Sequence, residues 1–155
     1  MSTDFADLVR IGTPRPLAVD ALTRVADKAH VTIPRPLASL LATWGPGLLC
    51  GTFSLEDPTD TANTSRFQRL QKKLRVEATR ARANGHWAQV PEGTFARTMI
   101  LGTDRRGAAL ALLAGGSTEG TLVVLHPRGY VLPVGSFESF VQSFLRERRW
   151  HVLVR

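Results

Sequence analysis

Apolar residues keep a helical period up to Trp44 and become strand-like beyond residue 97, with one long, mostly polar helix between. Leu22, Val25, Ala26 and Ala29 fall at i, i+3, i+4 and i+7, which predicts a helix over about residues 17–30. Leu37, Leu40, Leu41 and Trp44 repeat that spacing behind Pro34, whose fixed φ suits a first helical turn. The tight link predicts antiparallel or steeply crossed neighbours. Gly45 can take the left-handed conformation that ends a helix, and Pro46 cannot continue one. Residues 48–53 then read as a short buried strand, and residues 57–64 as a polar loop with turn chemistry.

Ser65 and Gln68 have the spacing of a capping box, and Asn84-Gly85 supplies a stop, which predicts a helix over residues 65–83. Phe67, Leu70, Leu74, Ala78 and Ala81 lie within a sector of about 80°, with Arg66, Arg69, Lys73 and Arg80 roughly opposite. Residues 86–93 read as a loop. Four strands follow, at 98–101, 108–113, 121–125 and 130–134, joined by short Gly-bearing connections as in an antiparallel meander. Ser136 caps a last helix whose Phe137, Phe140, Val141, Phe144 and Leu145 share one stripe. The tail, residues 150–155, adds a strand or covers the sheet. The sum is an α+β domain over residues 1–155, with residues 1–16 poorly patterned. Its antiparallel sheet of about five to six strands has helices packed mainly on one face and a C-terminal helix. Leu40, Trp44, Phe137, Phe140 and Phe144 are the expected core.

Composition changes this picture little; charge changes it more. A chain of 155 residues with 43% hydrophobic content is large enough to bury one core unaided. No apolar run approaches the roughly 18–20 residues that span a bilayer. The first residues carry acids where a secretory signal carries bases, and the single cysteine, Cys50, excludes an internal disulfide. A cytoplasmic protein is the expectation, with no membrane association. The net charge of +7 is concentrated in one place: residues 66–82 hold seven bases against Glu77, a net +6. A basic ridge of this kind is a solvated face, a docking face for an acidic protein, or a phosphate-binding face.

Catalytic chemistry is hard to find. His30, His86, His126 and His151 lack metal-binding spacings, and one cysteine cannot complete a zinc site. Gly135-Ser136-Phe137 is not a nucleophile elbow. The glycines at 45, 47 and 51 follow a helix and precede a strand, the reverse of a dinucleotide-binding turn. Asp104 reads as a turn-forming residue, Cys50 as a small buried hydrophobe, and Trp87 as a core-edge residue or an interface anchor. No enzyme, cofactor or metal is expected. Candidate partner-binding residues are Arg66, Arg69, Lys73, Arg80, Trp87, Arg105 and Arg106.

The order of the motifs carries a family resemblance. The helix from Pro34, the run Trp44-Gly45-Pro46-Gly47, a strand and then Asp57-Pro58 resemble the opening of the SUKH superfamily. Residues 99–107, with Gly102 and Gly107 bracketing a short polar loop, look like its strand–glycine–loop–glycine–strand pattern. Ser136-Phe137 with Phe140 is similar to its closing helix, so the resemblance spans about residues 17–147. It implies a helix-flanked sheet without enzymatic activity. Many bacterial members are immunity proteins that bind and neutralise a cognate toxin, and many such toxins act on nucleic acid. An inhibitor of a nuclease would usefully be acidic, so a charge of +7 points to a toxin with an acidic surface, met by a monomer or weak dimer. The alternative is a nucleic-acid-associated or regulatory scaffold that uses the helix of residues 65–83.

Overall fold

The strand segments beyond residue 97 are apolar at nearly every position, which an antiparallel sheet tolerates only if both its faces are covered. A computed structural model of the chain describes residues 10–49, 53–87, 95, 97–104, 106–113, 121–136, 139, 140 and 142. In it the sheet has seven strands in sequence order, all antiparallel: β1 (Arg10–Ile11), β2 (Gly47–Leu49), β3 (Phe53–Leu55), β4 (Thr98–Asp104), β5 (Ala109–Leu113), β6 (Thr121–Leu125) and β7 (Val131–Ser136). Among the described residues, three α-helices with defined bounds accompany them: α1 (Val19–Ala29), α2 (Arg35–Thr43) and α3 (Thr64–Ala83). The α+β class read from the sequence is the observed one.

The period of two along the strands sorts the core into two layers. Leu110, Leu112, Leu122 and Val124 pack with Leu22, Leu37, Leu40 and Leu41 of α1 and α2, and with Phe140. The intervening Ala109, Ala111, Leu113, Val123 and Leu125 pack with Leu74 and Ala78 of α3. Thus α1, α2 and Phe140 share one face, and α3, with Phe95 and Trp87, packs on the other. Small alanines on the α3 side let that helix sit close to the sheet.

The corner after α2 is built by backbone. Trp44 N–H donates to the Leu40 carbonyl at 2.9 Å and ends the helix. The segment before α1 then crosses this end: Arg15 N–H donates to the Trp44 carbonyl at 2.8 Å and Leu17 N–H to that of Leu41 at 2.9 Å, satisfying groups the helix leaves open. Gly45 has φ +95°, and a Cβ there would run into the Arg15 carbonyl oxygen, so only glycine fits. Gly47 opens β2.

Several expectations change. Residues 48–53 are not one strand: β2 and β3 pair antiparallel across residues 50–52, Leu49 opposite Phe53, so two short strands add to the sheet where one was expected. Arg10–Ile11 adds a further two-residue strand from the poorly patterned start. Trp44 is packed at the core's rim, half-buried, because it caps α2. Leu40 and Phe140 are buried as expected, with the Phe140 ring edge-on to Phe53 at 5.9 Å. Phe137 and Phe144 lie outside the described residues. The start of α3 does not use a Ser65–Gln68 box. A turn of 3-10 helix over Thr61–Asn63 precedes it, capped by the Asp60 carboxylate, which accepts from Ala62 N–H at 2.9 Å. The expected stop at Asn84-Gly85 holds: Gly85 has φ +86°, and His86 N–H donates to the Ala81 carbonyl at 3.0 Å.

Candidate partner-binding surface

Two of the four ridge residues read from the sequence are engaged within the molecule. Arg66 forms an ion pair with Glu56, just beyond β3, at 2.9 Å, and its guanidinium lies 5.3 Å from the centroid of the Phe67 ring. Arg80 pairs with Glu77, one turn back, at 3.1 Å. Arg69 and Lys73 are exposed and form no ion pair among the described residues. Lys72 and Arg75, absent from the sequence-based ridge, are exposed and unpaired in the same way. The free charge of α3 is therefore Arg69, Lys72, Lys73 and Arg75, shifted around the helix from the expected set.

The opposite side of α3 explains its position. Leu74 and Ala78 are fully buried, with Phe67 and Leu70 packed beside them. The Gln71 amide donates to the Thr98 carbonyl of β4 at 2.7 Å, fixing the helix against the sheet. Val76, outside this stripe, is 48% exposed.

Trp87 does not stand out from the surface as an isolated anchor. It is half-buried against the α3-side core, edge-on to the buried Phe95 at 5.3 Å, and its carbonyl accepts from the Arg82 guanidinium at 2.9 Å. Phe95 was missed in sequence because it stands alone, outside any periodic segment. Arg106 is exposed in the β4–β5 turn; Arg105 lies outside the described residues. That turn is held by Asp104, whose carboxylate accepts from the N–H groups of Arg106 and Ala108, both at 2.9 Å. Asp104 therefore braces the turn through Oδ1, the turn-forming role expected of it.

The remaining motif residues serve the fold. Gly102 sits under the Phe53 ring, where a Cβ would come within 2.6 Å of Phe53 Cζ. Gly107 takes φ +86° in the turn. The Ser136 hydroxyl accepts from Ser139 N–H at 3.1 Å, as a helix cap does. Pro34 precedes the first turn of α2. His30 adopts a left-handed φ of 55° at the end of α1, and His126 stacks on Tyr130 with ring centroids 4.2 Å apart.

A cleft of about 340 Å³ opens beside β4, where β3 is too short to pair with Met99 and Ile100. Thr64, Gln68 and Gln71 line it, with Lys28 and Asp60 its charged groups. Asp60 accepts the Ala62 N–H there as a cap. Among the described residues, no group of three or more His, Cys, Asp or Glu could hold a metal ion, and no helix is long and apolar enough to cross a membrane. No family model, curated protein or solved structure matches the chain.

Proposed function

We propose that this protein is a binding module without turnover of its own, and that it neutralises a cognate bacterial toxin in the cytoplasm by direct contact. The observation that carries the reading is where the residues resembling the SUKH pattern fall. Trp44-Gly45-Pro46-Gly47 turns the chain from α2 into the sheet, Gly102 and Gly107 set the β4–β5 hairpin, and Ser136 caps the segment bearing Phe140. They occur in the order the resemblance requires, and each is used by the scaffold, so the chemistry left for function lies on the surface. The function itself comes from that resemblance, because a fold supports many activities.

The test is co-expression with the product of the neighbouring open reading frame, a large multidomain toxin on this reading. The expected outcome is restored growth of the host and a stable complex in light scattering. Toxicity that persists at equal expression, with no complex formed, overturns the proposal.

A further inference from the structure

The outward face of α3 is arranged around a residue with no task in the core. At 100° per residue Val76 lies about 160° around the helix from both Leu74 and Ala78. Its neighbours on the helix surface, three, four and seven positions away, include Arg69, Lys72, Lys73 and Arg80. Of these Arg80 is held by Glu77, which leaves three bases around one exposed apolar side chain, with Arg75 adjoining Lys72. Arg69–Lys72, Arg69–Lys73 and Lys72–Arg75 are like-charge pairs at spacings that destabilise a helix, and the single acid of α3, Glu77, four positions after Lys73, is paired with Arg80 instead. Carboxylates from outside would relieve them.

From this we infer that the outward face of α3 docks an acidic protein surface, seating an apolar side chain on Val76 and carboxylates on Arg69, Lys72, Lys73 and Arg75. The inference deepens the toxin-binding reading and rests on it for the identity of the partner. Protein is favoured over single-stranded nucleic acid by the aromatics. Phe67 packs inward and Trp87 and Phe95 are paired edge to face, so this side of α3 presents no stacking platform among the described residues. An exposed valine at the centre of the charges has a use in a protein contact and none against phosphates.

Fluorescence anisotropy on the full chain tests this with two probes: a 20-residue amphipathic peptide of Glu and Leu, and a random DNA duplex of similar charge. Both are titrated at about 50 and 200 mM salt, a range over which six or more phosphate contacts lose orders of magnitude in affinity. The peptide is expected to bind more tightly than the duplex at the higher salt. Reversal of Arg69, Lys72 and Lys73 to Glu is expected to slow peptide association at least about tenfold at low salt. Val76→Gln is expected to raise the dissociation rate severalfold while sparing association. All four positions are exposed, and a thermal melt of each variant confirms that it is folded. Peptide binding that survives the reversal overturns the inference, as does tighter duplex binding that the reversal abolishes. With the co-expressed toxin the two readings separate. A complex untouched by the reversal sinks this surface alone. Absence of any complex, with peptide binding intact, sinks the toxin.

Discussion

The glycines form a graded series. At Gly107 a Cβ meets nothing within 4 Å, so Gly107→Ala costs only the left-handed φ, about 1–2 kcal/mol. At Gly45 the same strain is joined by collision with the Arg15 carbonyl, part of a backbone segment hydrogen-bonded to the end of α2. At Gly102 no unusual φ is involved; the Cβ meets the buried Phe53 ring and the Ser54 carbonyl. Gly45→Ala is expected to lose about 3 kcal/mol or more, and Gly102→Ala about 1–3, in urea unfolding. A Gly45→Ala loss equal to that of Gly107→Ala would show that the Arg15 segment simply moves away. Sequence reading could place Gly45 as a helix stop because the signal is local. The need at Gly102 was not legible, since it arises from a ring on a strand some fifty residues earlier. Trp44 was over-read for a related reason: helical periodicity gives its direction but not that the helix ends there.

Helix boundaries follow from single backbone groups. The end of α1 is a left-handed cap closed by a bond from Val31 N–H to the Ala26 carbonyl at 3.0 Å, with His30 where glycine is usual. A non-glycine residue in that conformation costs roughly 1–2 kcal/mol, and glycine adds back about 0.5–1 kcal/mol of unfolded-chain entropy. His30 is exposed and loses little on truncation, so His30→Gly is expected to stabilise the protein by about 0.5–1 kcal/mol. A fall in Tm would mean that the imidazole makes a contribution larger than the strain. The helices themselves were legible because apolar stripes of three or four members are hard to produce otherwise. Their starts were less so: Asp60 caps a 3-10 turn ahead of α3, and Asp-Thr-Ala-Asn reads equally well as loop. The free bases of α3 were displaced by pairs of two kinds. Glu77–Arg80 is local and could be read from spacing, whereas Glu56–Arg66 needs the fold to bring β3's end to the helix.

At the scale of the molecule, the informative signal was the lack of alternation in residues 108–113 and 121–125. A half-exposed strand alternates apolar with polar, and a continuous apolar run means that both faces are covered. Here α1 and α2 cover one and α3 the other, so β5 and β6 belong to two cores at once. Two cores sharing strands cannot come apart independently. Loss of α3 would expose Ala109, Ala111, Leu113 and Val123, and the strands they leave would be the same ones on which Leu110, Leu112 and Val124 pack. The chain carries three tryptophans, and two report on opposite faces: Trp44 borders the α1–α2 side and Trp87 the α3 side. Two single-tryptophan proteins, one keeping Trp44 and the other Trp87, with the remaining tryptophans changed to Phe, allow each layer to be followed. The two substitution sets shift overall stability differently, so each fluorescence transition is compared with the far-ultraviolet circular dichroism of the same protein. Coincident midpoints and slopes within each protein are expected, as for a single cooperative unit. A Trp87 transition at lower denaturant than the dichroism of its own protein would mean that α3 detaches first and that the sheet survives with one face bare.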